Sequence, residues 1–83
     1  MSHVRDVVDV VARALSDEPD HVRVVETAHQ GGTLLELFVS PADLGRVIGR
    51  QGRTAAALRT LVAATAERDG ARVTLEIRET LPA

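Results

Sequence analysis

Residues 47 to 54 read VIGRQGRT, in which Gly49 and Gly52 enclose Arg50 and Gln51, and Arg53 and Thr54 follow at once. Bare backbone beside guanidinium groups suits the holding of an anion. A phosphate can approach main-chain N–H groups where no Cβ stands in the way. A helix that starts there adds unpaired N–H groups and the positive end of its dipole. The charge pattern agrees. From Leu44 to Ala66 there are four arginines (Arg46, Arg50, Arg53 and Arg59) and no acid, whereas the rest of the chain holds all 12 acidic residues. The formal net charge of -2 therefore hides a local basic patch. Such a patch attracts an anionic ligand, while net charge mainly governs solubility.

Other glycine-based phosphate sites do not fit. A Walker-type loop needs four residues between its glycines and a Lys-Ser/Thr pair after them. The dinucleotide fingerprint needs a different glycine spacing and a strand before it, but Gly45, Gly49 and Gly52 follow a helical segment. A plain tight turn between helices would account for the two glycines. It would not account for an acid-free window with four arginines. All ten basic residues are arginine, including Arg5, Arg13 and Arg78 far from the patch, so the lack of lysine reflects a GC-rich coding sequence more than the site.

Further chemistries are poorly supplied. Cysteine is absent, which excludes disulfides, zinc–thiolate sites and thiol catalysis. His3, His21 and His29 are irregularly spaced and have no acid cluster at metal-ligand intervals, so no metal is expected. Ser2, Ser16 and Ser40 have the setting of helix caps or ends, with no nucleophile elbow or S-x-x-K motif. The chain is expected to be neither an enzyme nor a cofactor binder.

The elements that must position the loop are legible. Val4, Val7, Val8, Val11, Ala12 and Leu15 repeat as one apolar helix face, and Pro19 helps to end that helix. HVRVVETA and TLLELFV read as strands joined through HQGG, an antiparallel hairpin. In the second strand Leu35, Leu37 and Val39 share the inner face, and Leu34, Glu36 and Phe38 the outer. SPADLGRVIG opens a short helix, with Ser40 as N-cap, Pro41 in the first position and Asp43 placed for a capping box. A longer helix runs from Arg53 to about Arg68, its core face carrying Ala55, Leu58, Leu61 and Val62 and continuing to Thr65. ARVTLEIRE then alternates, with Val73, Leu75 and Ile77 inward. The order α-β-β-α-α-β predicts an α+β fold, a two-layer sandwich with a three-stranded mixed sheet. A right-handed crossover through two helices would make the second and third strands parallel if they are neighbours.

On these residues, GRVIGRQGRTAAALRTLV resembles the signature of the KH domain, V-I-G-x-x-G followed by an apolar helix. The element order is similar to the bacterial, type II, form of that fold. The match is closest to the small single-domain bacterial KH proteins of the KhpA type, and it extends over nearly all of 1–83 as one domain with a core at about 3–79. The resemblance implies cytoplasmic binding of single-stranded RNA, in a regulatory or RNA-chaperone role, by a GXXG loop that clamps about four nucleotides. It assigns Gly49, Arg50, Gln51 and Gly52 to the clamp, Arg53 and Thr54 to the start of the supporting helix, and Val47, Ile48 and Leu58 to groove and core positions. Arg46 and Arg59 complete the expected RNA-binding set. Ala55 stands where many KH domains carry a larger aliphatic, which shrinks the apolar wall.

The resemblance also implies a homodimer, or a heterodimer with a larger KH-containing protein of the Jag type. A strip of small residues on the longer helix, Ala56, Ala57, Thr60, Ala63 and Ala64, offers a flat surface for such a contact. An adaptor that acts mainly through this pairing is the alternative function. Phe38, the single aromatic, reads as packing or partner contact in preference to RNA contact. No apolar run approaches the ~20 residues of a membrane span, and MSHVRDVVDVV carries acids inside its apolar pattern, unlike a signal peptide. A soluble, cytoplasmic protein is expected.

Overall fold

The computed structural model describes residues 3–80. The elements are α1 (His3–Leu15), β1 (Arg23–His29), β2 (Gly32–Val39), α2 (Pro41–Ile48), α3 (Arg53–Arg68) and β3 (Val73–Glu79). Single 3-10 turns occupy Pro19–His21 and Arg50–Gly52. The order α-β-β-α-α-β is the one that the sequence predicts. Ser2, one of the possible caps, lies outside the described residues.

The sheet has the strand order β1-β2-β3. β1 and β2 form an antiparallel hairpin with Val24 opposite Leu37 and His29 opposite Gly32. Gln30 and Gly31 both take positive φ in the two-residue turn, as a hairpin with right-handed strand twist requires. β3 lies next to β2 and parallel to it, with Leu35 beside Leu75 and Phe38 beside Arg78. The period-2 reading of β2 holds: Leu35, Leu37 and Val39 are fully buried, whereas Leu34, Glu36 and Phe38 are half-buried on the open face. Full burial of one such aliphatic side chain contributes about 1.5–3 kcal/mol. The central strand is thus the floor of the core.

All three helices cover one face of this sheet. α1 contributes Val4, Val8 and Ala12, and α3 contributes Leu58 and Val62. Four valines on a helix face have poor intrinsic propensity, so α1 depends on tertiary support. Its arginines supply some of it: the Arg5 Nε–H donates to the Val24 carbonyl at 3.1 Å, and Arg13 Nη1 donates to the Pro19 carbonyl at 3.0 Å.

α3 departs from the expected pattern at two places. Leu61 is 41% exposed and not in the core, while Ala66 is buried. At 100° per residue Leu61 is rotated well away from Val62. The seam that meets the sheet runs through Ala55, Leu58, Val62 and Ala66, and it is too narrow to include Leu61.

The expected capping box does not form. Ser40 is the N-cap by position, but its side chain makes no cap hydrogen bond. Instead, the buried Asp43 carboxylate accepts the Asp17 N–H at 3.0 Å and the Glu18 N–H at 2.9 Å. The Ser40 hydroxyl donates to Glu18 Oε1 at 2.9 Å, with Asp43 Oδ2 at 3.3 Å. The first turn of α2 is therefore clamped to the loop that leaves α1. The two backbone N–H groups, aided by Ser40 and Arg46, outweigh desolvation and hold the Asp43 carboxyl below the usual aspartate range.

A depressed folded-state pKa stabilises the fold above the ordinary aspartate range, and that stabilisation is lost as the pH falls through the depressed value. Asp43→Asn should lower the melting temperature at neutral pH by on the order of 10 °C, because one carboxamide cannot accept from both N–H groups with an N–H2 in place of an oxygen. The difference between wild type and variant should shrink on acidification. Thermal melts from neutral pH down through the aspartate range check both statements.

Candidate nucleic-acid interface

α2 runs directly into the two-glycine loop. The Gly49 N–H closes the helix on the Gly45 carbonyl at 2.8 Å, and the Gly52 N–H returns to the Gly49 carbonyl at 3.0 Å. Gly49 adopts φ 78° and ψ 169°, a region that is essentially restricted to glycine. Gln51 (φ 55°) and Gly52 (φ 72°) are left-handed, and α3 begins at Arg53. Positive φ at three of four positions reverses the chain in a single 3-10 turn.

The two glycines answer to different constraints. A Cβ on Gly49 would lie 2.6 Å from Thr54 Cβ and 2.9 Å from Thr54 N, so this glycine lets the loop pack on the first turn of α3. A Cβ on Gly52 would meet nothing within 4 Å. Gly52 is needed for its backbone angle, and the space beside it is open to a ligand.

The arginines divide as well. Arg50, Arg53 and Arg59 are exposed. Arg53 Nη2 donates to Gln51 Oε1 at 2.7 Å, which holds both side chains over the loop. Arg50 and Arg59 have no ion pair among the described residues. Arg46 behaves differently: its Nη2 is 2.8 Å from Asp17 Oδ2, and its Nε is 3.9 Å from Asp43 Oδ1. The acid-free window of the sequence is not acid-free in space. Folding brings Asp17 and Asp43 to the one arginine on α2 and leaves the basic patch on the loop and α3.

Among the apolar positions, Val47 and Leu58 are buried in the core, and Ile48 is half-buried beside the loop. Ala55 is buried too, so it packs beneath the surface and adds little to a groove wall. Arg59, six residues along α3 from Arg53, rises about 9 Å from it. It borders an open depression of about 230 Å³ against β3, lined also by Val62, Val73, Thr74 and Leu75. Basic side chains thus lead from the loop towards the edge strand. The part of β3 in this surface had no signal in the sequence beyond its alternation, because only the crossover places it beside α3.

Ala56, Ala57, Thr60, Ala63 and Ala64 are all exposed on the outer side of α3, as their spacing predicts. Thr60 bonds its own helix, donating to the Ala56 carbonyl at 3.1 Å. The exposed Leu61 borders this strip. The three histidines are not gathered, and no cluster of three His, Cys, Asp or Glu side chains that could hold a metal occurs among the described residues.

A helix–GXXG–helix unit set in an α-β-β-α-α-β fold, with a mixed three-stranded sheet, defines a KH domain of type II. Comparison with known proteins is consistent with that class: the family described as "KhpA/KhpB, KH domain" matches residues 5–77. The chain is 48% identical over 79 residues to the RNA-binding protein KhpA of Aquifex aeolicus (strain VF5), covering 95% of this chain and all of that one. It is 55% identical over 67 residues to the RNA-binding protein KhpA of Leifsonia xyli subsp. xyli, covering 81% and 86% of the two chains. With the RNA-binding protein KhpA of Clostridium perfringens it shares 43% identity over 74 residues, 89% and 99% of the two. The chain belongs to the KhpA/KhpB KH-domain family.

The unequal roles of the glycines lead to an expected difference in stability. Gly52→Ala should cost about 1–2 kcal/mol, the ordinary penalty for a left-handed residue. Gly49→Ala should cost more, because it adds a clash with Thr54 to a glycine-only backbone conformation. Urea unfolding of the two variants beside the wild type checks the order.

Proposed function

We propose that this protein binds single-stranded RNA, gripping the backbone at Gly49–Gly52, and that it serves in the cytoplasm as a post-transcriptional regulator or RNA chaperone. The observation that carries this reading is the loop itself: open space beside a left-handed Gly52, at the head of α3, with Arg50 and Arg53 exposed on either side. Main-chain N–H groups and guanidiniums attract phosphate there without reading a base. Gln51 and Thr54 shape the loop, Ile48 offers an apolar side, and Arg59 extends the basic track. Arg46, held by Asp17, contributes more to positioning α2 than to the ligand. The printed names of the relatives, RNA-binding proteins, support the same reading. No helix among the described residues is long and apolar enough to cross a membrane. The KH class favours a binding module over an enzyme.

Gly52→Asp is the decisive variant, since aspartate tolerates the left-handed region better than most residues and has room here. It should stay folded and lose tenfold or more in affinity for a fluorescent single-stranded RNA. Unchanged affinity in a folded variant would refute the loop assignment. Affinity of the wild type should also fall with salt. The expected slope is about 0.7 in log K per log salt for each neutralised phosphate, or about 1.4–2.1 for two or three arginines.

The adaptor reading has one specific observation in its favour. Leu61 is exposed beside the small-residue strip of Ala56, Ala57, Thr60, Ala63 and Ala64, and together they give α3 a flat apolar flank. A homodimer there, or pairing with a larger Jag-type KH protein, would place two loops near each other and raise avidity on one RNA. Leu61→Glu should yield a folded monomer in sedimentation at micromolar concentration, where the wild type sediments as a dimer. A monomeric wild type with full RNA affinity would exclude the homodimer.

A further inference from the structure

The open face of the sheet, opposite the helices, carries a second constellation. Strand register sets Arg23 of β1 opposite Phe38 of β2, and Phe38 beside Arg78 of β3. The only aromatic residue of the chain therefore lies in one row between two arginines on adjacent strands. Phe38 is half-buried, with Arg23 and Arg78 exposed. Arg23 has no ion pair among the described residues. Arg78 is oriented by Glu36, its Nε 3.0 Å from Oε2. The next row inward holds Val25, Glu36 and Glu76, which separates this row from Arg72 at the other end of the sheet.

The end that holds Phe38 is the one from which α2 departs. The Thr80 N–H bonds the Val39 carbonyl at 2.8 Å just after Arg78, and α2 begins at Pro41. β3 is an edge strand; the Arg59 depression lies against Val73–Leu75 on its helix-covered side, and the Arg23–Phe38–Arg78 row lies on the open side towards its other end.

We propose that the open sheet face is a second contact for single-stranded nucleic acid, in which a base stacks on Phe38 and a flanking phosphate meets Arg23, while Arg78 stays with Glu36 as Arg46 does with Asp17. Every base has a π-face, and an aromatic on a sheet flanked by guanidiniums is suited to holding it without regard to sequence. The sequence alone favoured a packing or partner role for Phe38; the exposed Arg23 that the register brings to it favours RNA over an apolar protein surface. The proposal rests on RNA binding at the loop and extends it from about four nucleotides to a longer segment.

The test compares two labelled RNAs, the tetranucleotide CACA and the dodecamer (CA)6, by fluorescence anisotropy on the intact chain. Phe38→Leu keeps apolar volume and removes the ring. It should weaken the dodecamer about tenfold and leave the tetranucleotide unchanged, while Phe38→Tyr retains dodecamer affinity. Gly52→Asp should weaken both RNAs. Failure of Gly52→Asp to do so counts against the loop, whereas equal dodecamer affinity for wild type and Phe38→Leu overturns the second contact alone. It is also overturned if Phe38→Leu changes the sedimentation of the free protein and weakens both RNAs equally, since the face would then be a protein interface.

Discussion

The buried carboxylate of Asp43 is the interaction on which the site's position depends. A carboxylate removed from water must find hydrogen-bond donors, and it finds them in the Asp17 and Glu18 N–H groups, more than two dozen residues away in sequence. No buried side-chain polar atom among the described residues is left without a partner. The start of α2 is thereby fixed against the end of α1. α2 is only eight residues long, so its anchored first turn also sets where Gly49 lies and how the loop meets α3.

The same anchor sorts the charges. By drawing the Asp17 loop against α2, it places a carboxylate on Arg46 and removes that guanidinium from the free positive surface. Arg5 and Arg13 are likewise bound to backbone carbonyls and brace α1. Arg50, Arg53 and Arg59 stay exposed around the two-glycine turn. An acidic protein can present a basic site in this way, because Coulomb attraction in water with salt is felt over only about 10 Å. Local placement outweighs net charge.

The two layers have complementary uses. The helical layer closes the core and carries the loop, while no described residue covers the other face of the sheet. That face has alternation to thank for its polar character, and register for its pattern. Arg23, Phe38 and Arg78 come from three segments and share only a row.

What the sequence by itself determined is local or periodic. Alternation in β2 separated Leu35, Leu37 and Val39 from Phe38, the 3.6-residue period marked α1, and two glycines three apart marked the turn before α3. The crossover through two helices made β2 and β3 parallel on condition that they are neighbours, and the fold supplies that condition by adding β3 beside β2. Tertiary structure decided the rest. Periodicity reveals a helix face but not how wide a strip its neighbours cover, so Leu61 was expected in the core and lies at the surface, and Ala66 took a place on the seam. Asp43 looked like a local cap, but its partners lie across the fold, and Arg46 was part of a basic window until folding brought Asp17 to it. Each of these outcomes depends on distances between residues far apart in the chain, which spacing along it does not encode.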